Sequence, residues 1–135
     1  MLFPKPVSKN KKKKAHKYNA KKTERSGMWF DSMAEAKLYD WLKLRESNKE
    51  ITDLKCQVEV RLTQAQILYK PDFSFVENGI LIYAEMKGFQ TPVWRIKRRL
   101  WLSGYGPGKL EVWGISASGP FLHEVLEPKE LKNKS

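Results

Sequence analysis

The fold is decided by residues 69–88, which read YKPDFSFVENGILIYAEMKG. Asn78-Gly79 at the centre of this stretch strongly favours a tight hairpin turn, because both residues tolerate positive φ. Pro71 disfavours helix at the residue before it, so we expect an extended segment from Ile67 to Val76. A strand from Ile80 to Lys87 should then return antiparallel to the residues that precede the turn.

Two acidic residues and a lysine are expected to meet at the open end of this hairpin. Asp72 lies six residues before Asn78 and Glu85 lies six residues after Gly79, so the turn sets the two acids nearly opposite each other. Glu85 and Lys87 should project together, because alternate residues of a strand share a face. Two close carboxylates repel unless a cation lies between them. Charged residues also face each other across strands for purely structural reasons, so both interpretations are open.

A cation at this place would give the neighbouring residues defined roles. Carboxylate oxygens suit Mg²⁺ or Mn²⁺. Lys87 could hold an attacking water or neutralise the charge of a phosphoryl transition state. The backbone carbonyl of Met86 is a further candidate ligand. This is the set of groups that a magnesium-dependent phosphodiesterase requires.

The region before the hairpin predicts one helix and one strand. A helix is expected from about residue 33 to 47, and Ser32 and Glu35 at its start have the spacing of a capping box. Apolar residues alternate with polar ones over 58–62, which is typical of a half-buried strand.

The region after the hairpin predicts a second helix and further strands. Thr91-Pro92 has the features of a helix start, and the helix should run to about Ser103. Strands are expected at 110–115 and 121–126. The predicted class is α/β (α+β), with the order αβββαβ, a mixed sheet flanked by helices and a parallel strand pair across the second helix.

The second helix is expected to have one apolar and one basic face. The stripe that should pack on the sheet comprises Val93, Ile96, Leu100 and Trp101. The opposite face comprises Arg95, Lys97, Arg98 and Arg99. Such a face is usually only solvated, but beside an acidic metal site it would suit phosphate contacts. Of the five tryptophans, Trp94 is the one expected to be exposed.

Charge divides the chain into a basic arm and a nearly neutral domain. The net charge is +11, of which residues 1–26 contribute ten Lys/Arg and one Glu, while residues 27–135 contribute sixteen basic and fourteen acidic residues. The arm includes Lys11, Lys12, Lys13 and Lys14. It has too few apolar residues to bury a core, so we expect it to be disordered when free and to bind DNA through counterion release. A solubilising tail or a localisation signal would have the same composition.

Other features of the composition favour an intracellular protein. The chain has one cysteine, Cys56, which excludes an internal disulfide and a cysteine-rich zinc site. It has no apolar run long enough to span a membrane and no apolar core of a secretion signal. We therefore expect a cytoplasmic protein without a membrane partner.

The quoted residues resemble those of a known enzyme superfamily. Tyr69-Lys70-Pro71-Asp72-Phe73, the Asn-Gly turn, Glu85-Met86-Lys87-Gly88 and the following helix are similar to the PD-(D/E)xK nucleases. Within that superfamily the chain resembles small phage proteins, the endonuclease I group of Holliday-junction resolvases. The resemblance covers roughly residues 27–116 and implies a restriction-endonuclease-like core.

The resemblance also implies a role for each residue of the motif. It implies that Asp72 and Glu85 are metal ligands and that Lys87 is the catalytic lysine. In that family an acid on the first helix often joins the metal site, and Glu35 occupies the corresponding place. The helix-cap role of Glu35 opposite Ser32 explains its position equally well.

Two classes of function follow from the sequence. The first is a Mg²⁺-dependent DNA endonuclease, for which the resemblance implies branched DNA such as a Holliday junction, a homodimer for paired cuts, and a phage-encoded enzyme acting in a bacterial host. A restriction-type or mismatch-nicking nuclease would use the same residues. The second is a non-catalytic nucleic-acid-binding protein that uses the arm and the 95–99 cluster.

Overall fold

The computed structural model describes residues 22–88 and 90–129, and within them it places nine strands and two α-helices. In chain order these are β1 (Thr23–Arg25), β2 (Met28–Phe30), α1 (Met33–Ser47), β3 (Thr52–Cys56), β4 (Val60–Leu62), β5 (Ile67–Tyr69), β6 (Phe73–Glu77), β7 (Ile80–Met86), α2 (Pro92–Leu100), β8 (Lys109–Ser116) and β9 (Gly119–Leu126). A π-type turn, Trp101–Tyr105, follows α2 directly. In the same part of the chain, no helix is long and apolar enough to cross a membrane.

The centre of the molecule is a five-stranded mixed sheet with the order β3-β6-β7-β8-β9. Strands β7 and β8 are parallel, and the other neighbours are antiparallel. The two helices and the first four strands of this sheet follow one another along the chain as α1, β3, β6, β7, α2 and β8, with β4 and β5 outside the sheet. The predicted αβββαβ order and its parallel pair across the second helix are therefore confirmed, and the architecture is consistent with a restriction-endonuclease-like core.

The first strand of that core is not the predicted one. The alternation over 58–62 does give a half-buried strand, since Val60 and Leu62 are buried and Arg61 is exposed. This strand, β4, instead pairs with β5 in a separate two-stranded ribbon. One edge of the main sheet is β3, which pairs with β6 through an irregular register.

The ordered part also begins before the expected boundary at Gly27. Strand β1 takes three residues of the segment assigned to the arm and pairs with β2. Ser26 and Gly27 have φ angles of 53° and 81°, which is the backbone of a tight turn between twisted strands. The four arm lysines, 11–14, lie outside the described residues.

Two hydrophobic clusters cover the two faces of the sheet. Helix α1 packs on one face with a cluster that includes Leu38, Leu42, Phe73, Phe75 and Ala84. Helix α2 and the π-type turn pack with a second cluster that includes Tyr69, Trp94, Trp101, Leu110 and Val112. In β8, Leu110 and Val112 belong to the second cluster and the adjacent Trp113 to the first, as expected for a strand covered on both faces.

Both helices begin as their sequences predict. The Ser32 hydroxyl accepts a hydrogen bond from the Glu35 backbone N–H at 3.0 Å, and α1 has the predicted bounds. The Thr91 hydroxyl accepts from the Trp94 backbone N–H at 3.1 Å, and Pro92 is in the first turn. These caps satisfy N–H groups that have no partner within the helix.

The predicted orientation of α2 is confirmed at its end, where Trp101 is buried and Leu100 packs against the same cluster, and is wrong at its start. Val93 and Ile96 were expected on the sheet but are 59% and 60% exposed, whereas Trp94, expected outside, is 3% exposed. Trp94 and Trp101 lie seven residues apart and therefore on one side of the helix. The two indoles bury much more apolar surface than valine and isoleucine would, which favours this rotation.

Candidate active site

The hairpin brings Asp72 and Glu85 together as predicted. Phe73 pairs with Ala84 in the β6–β7 register, which sets the residue before Phe73 opposite the residue after Ala84. The Asp72 backbone N–H donates to Glu85 Oε1 at 3.3 Å. Asp72 Oδ2 in turn accepts from the backbone N–H of Met86 at 2.9 Å. The backbone N–H of Met86 thus contacts the site. The role of the Met86 carbonyl as a metal ligand stays a prediction.

Glu85 is held between an ammonium group and a phenol. Lys87 Nζ lies 3.3 Å from Glu85 Oε2, so the two residues share a face as strand alternation predicts. The Tyr69 hydroxyl donates to Glu85 Oε1 at 3.1 Å in a buried hydrogen bond. Lys87 Nζ also lies 4.9 Å from the centroid of the Trp94 ring. Tyr69 therefore restricts the conformation of the Glu85 side chain, and Trp94 restricts that of Lys87.

Glu35 reaches the same site from α1. Its carboxylate accepts a hydrogen bond from Gln57 Nε2 at 3.0 Å, and the Gln57 backbone N–H donates to the Asp72 carbonyl at 2.8 Å. Gln57 therefore links the helix acid to the strand acid. Ser32 still caps the Glu35 N–H, so the backbone of Glu35 serves the helix start while its buried side chain faces the acids.

The three acids are close together and poorly hydrated, and both conditions raise their pKa values. Burial, followed by the negative charges of Asp31 and Glu85, raises the pKa of Glu35 to about 7. Burial and the charges of Glu85 and Glu35 raise the pKa of Asp72 well above its usual range. Burial also raises the pKa of Glu85, against the opposing effects of Lys87 and Tyr69.

The oxygen donors fit a hard divalent cation, but the side chains are not arranged as a complete set of ligands. In residues 22–88 and 90–129, no three acidic, histidine or cysteine side chains surround one point at ligand distances. Glu35, Asp72 and Glu85 nevertheless supply only oxygen donors, and their mutual repulsion is what a bound cation would relieve. Both oxygens of Glu85 already have partners, with Tyr69 and the Asp72 N–H at Oε1 and Lys87 at Oε2, so a cation bound there would share this carboxylate with them.

A cleft of about 350 Å³ opens beside Glu85 and Lys87. Its walls also include Lys70, Thr91, Val93, Trp94 and Lys97. Lys97 Nζ lies 5.7 Å from the centroid of the Tyr69 ring. Three ammonium groups therefore line the cleft beside the acids. The Trp94 indole N–H is buried next to it and finds no hydrogen-bond acceptor in the described part of the chain.

The other predicted basic residues lie on the opposite flank of α2. Arg95, Arg98 and Arg99 line a second cleft of about 500 Å³, together with Gln90 and His123. Arg98 is paired with Glu124 at 2.7 Å and is therefore largely neutralised, whereas Arg95 and Arg99 are exposed. The 95–99 cluster is thus divided, with Lys97 beside the acids and the arginines away from them.

A known family model covers most of the chain. A family model described as "Protein of unknown function (DUF1064)" matches residues 15–117, which is 103 of the 135 residues. The chain belongs to the DUF1064 family. The matched region contains all three acids, Lys87 and α2. Family membership assigns no activity, and no curated protein matches the sequence.

The sequence assigns no definite role to two residues of this DUF1064 site. It leaves Gln57 open between an exposed strand or loop residue and one that touches the site or DNA, and it shows Tyr69 only as part of the motif. Tyr69 could have been found from its position, since a tyrosine three residues before Asp72 can reach the opposite strand. Gln57 has no comparable sequence feature, because its contact with Glu35 depends on how α1 packs beside the sheet.

Proposed function

We propose that this DUF1064 protein is a metal-dependent DNA endonuclease that hydrolyses phosphodiester bonds. The observation that supports the proposal is the convergence of Glu35, Asp72 and Glu85, with raised pKa values, beside Lys87 and a cleft lined by lysines. Holding acids that repel each other close together lowers the folding stability, and such groups are found most often at functional sites.

Each residue has a defined task in this proposal. Glu35, Asp72 and Glu85 would hold Mg²⁺ or Mn²⁺, which when bound supplies positive charge to the phosphate and a more acidic water. Lys87 would donate to a phosphate oxygen and stabilise the charge that develops there. Tyr69 would keep Glu85 oriented. Hydrolysis consumes one water and breaks one P–O bond, leaving a phosphate monoester and a hydroxyl.

The proposed substrate is DNA, and the finer assignment rests on the resemblance to phage resolvases. Lysines 70, 87 and 97 along the cleft suit a phosphate chain that passes the acids. A branched DNA such as a Holliday junction, a homodimer that makes paired cuts, and action in the cytoplasm of a bacterial host are the corresponding proposals. A restriction-type or mismatch-nicking enzyme would use the same chemistry.

One observation favours the second candidate, a non-catalytic nucleic-acid-binding protein. Glu85 is already paired with Lys87 and hydrogen-bonded to Tyr69, so the acids have internal partners without any metal. In such a protein the same basic clefts would bind DNA, and the acids would only connect β6, β7 and α1.

A cleavage assay separates the two candidates. A four-way junction and a linear duplex of matched sequence are incubated with the protein in Mg²⁺ or in EDTA and resolved on a gel. The nuclease proposal predicts cleavage only with Mg²⁺, and a loss of about 100-fold or more for Lys87→Ala. Lys109→Ala, an exposed lysine on β8, is the matched control. Binding without cleavage of either DNA would favour the binding protein, and equal cleavage of both would remove the junction preference.

Metal binding provides a second, independent test. Titration with Mn²⁺, followed by calorimetry, should give binding to the native protein and none to Asp72→Asn, because the substitution removes a charged ligand. Asp53→Asn is the control, since Asp53 is exposed and its φ of 57° is readily adopted by asparagine. Equal Mn²⁺ binding by native protein and Asp72→Asn would remove the basis of the nuclease proposal.

A further inference from the structure

Helix α2 presents two apolar side chains to solvent in basic surroundings. Val93 and Ile96 are three residues apart and therefore neighbours on the helix surface. They are more than half exposed because Trp94 and Trp101 occupy the buried side. Single exposed apolar residues need no explanation, but these two lie on a helix that carries four basic residues and no acid.

The basic residues lie on the two flanks of this apolar pair. Lys97 is on one flank, in the cleft that also contains Glu85 and Lys87. Arg95 and Arg99 are on the other flank, in the second cleft. A helix with its side chains is about 10–12 Å across, so two phosphate chains could run along its two sides. Any DNA that did so would bring its bases, and not its backbone, against the apolar pair.

Bases expose their apolar faces only where stacking is interrupted. In an intact duplex each face is covered by the next base pair, so an aliphatic side chain reaches it only at the cost of unstacking that step. At a branch point, a mismatch or an unpaired nucleotide the face is already open, and the same contact carries no such cost. Val93 also lines the cleft beside the Glu85–Lys87 pair, which sets this contact next to the proposed scissile phosphate.

We propose that Val93 and Ile96 form a stacking wedge, an apolar contact for unstacked bases that makes this protein select DNA with interrupted stacking. The inference rests on the proposed DNA endonuclease function and identifies the feature of the substrate that α2 recognises. Charge complementarity favours DNA over a protein as the occupant, because Arg95, Lys97 and Arg99, which are not neutralised as Arg98 is, would oppose a second copy of the same helix.

A binding experiment in EDTA tests the wedge without relying on cleavage. A four-way junction with 2-aminopurine at the branch point is compared with its linear duplex, by fluorescence anisotropy for affinity and by 2-aminopurine emission for unstacking. The native protein should prefer the junction and increase the emission. The double variant Val93→Ser/Ile96→Ser should lose about tenfold in junction affinity, keep its duplex affinity, and leave the emission unchanged.

The matched control is Ile80→Ser. Ile80 is 51% exposed, on β7 beside the hairpin turn and about 17 Å along the strand from Glu85. It should behave like the native protein. Thermal unfolding of each variant, followed by circular dichroism, should give unchanged midpoints because all three side chains are exposed.

Several results would overturn the inference, and they differ from a failure of the nuclease proposal. A double variant that keeps the junction preference, or that loses affinity for junction and duplex equally, excludes a stacking wedge. So does a native protein that leaves the 2-aminopurine emission unchanged. If sedimentation shows that the substitutions convert a dimer into a monomer, the pair is a protein interface. A protein that never cleaves DNA but shows the predicted binding difference would refute only the endonuclease.

Discussion

Glu35→Gln should make the protein more stable at alkaline pH in the absence of divalent metal. The Glu35 carboxyl is buried and lies near the charges of Asp31 and Glu85, which raises its pKa to about 7 from an ordinary value of 4.5. Between these two values the folded protein holds a proton that the unfolded chain has released. Stability contributed by this group is therefore complete below pH 4.5 and is lost as the pH rises to about 7.

The size of the effect follows from the same two pKa values. Each pH unit between them corresponds to about 1.36 kcal/mol, so the native protein should lose at most about 3 kcal/mol between pH 4.5 and pH 8 through Glu35. Glutamine has nearly the same shape but no charge, and its carbonyl can still accept from Gln57 Nε2. The variant should thus resemble the native protein at pH 4.5 and exceed it by up to about 3 kcal/mol at pH 8.

Urea denaturation in EDTA at pH 4.5, 6 and 8 measures this difference. Asp72 and Glu85 also have raised pKa values, so both proteins will lose stability with pH, and the informative quantity is the difference between them. A difference that does not grow with pH would refute the reasoning, since Glu35 would then be ionised at little cost. Glu127→Gln, at an exposed acid that forms no ion pair within residues 22–88 and 90–129, is a control for charge removal.

Three further predictions concern the metal, the arm and the packing of α2. Mg²⁺ added at pH 8 should raise the melting temperature of the native protein more than that of Glu35→Gln, and equal shifts would argue against a ligand role. Deletion of residues 1–21, which removes eight lysines and leaves β1 intact, should reduce DNA affinity and flatten its dependence on salt, and an unchanged slope would show that the arm makes no phosphate contacts. Gly106→Ala should lower the free energy of unfolding by about 1–3 kcal/mol, because a Cβ there would lie 2.4 Å from the Trp101 ring; Gly88→Ala, where a Cβ meets nothing within 4 Å, is the control in the same denaturation experiment.

The parts of this protein that were predicted correctly depend on local chemistry. Asn78-Gly79 fixes a tight turn, and a hairpin register follows from the turn by counting, so the meeting of Asp72 and Glu85 could be derived from the sequence. Helix caps are equally local, because the capping side chain and the N–H that it accepts from are three residues apart.

The parts that were predicted wrongly depend on competition between distant residues. The apolar and basic residues of α2 alternate well enough to suggest a sheet-facing stripe through Val93 and Ile96. The rotation of the helix was decided instead by Trp94, which packs against Tyr69 of β5 together with Trp101, a predicted member of the stripe. Strand β3 was missed for a similar reason, since its edge position depends on pairing with β6 and not on its own pattern.

The sequence by itself determined the turn, the register, the helix starts and therefore the pairing of two acids with a lysine. These follow from the backbone preferences of a few adjacent residues and from the two-residue period of a strand. Only the tertiary structure decided that Glu35 and Gln57 join the acids, that Tyr69 holds Glu85, and that α2 turns Val93 and Ile96 toward solvent. Those contacts join elements far apart in the chain, and their geometry is fixed by which large side chains fill the two sides of the sheet.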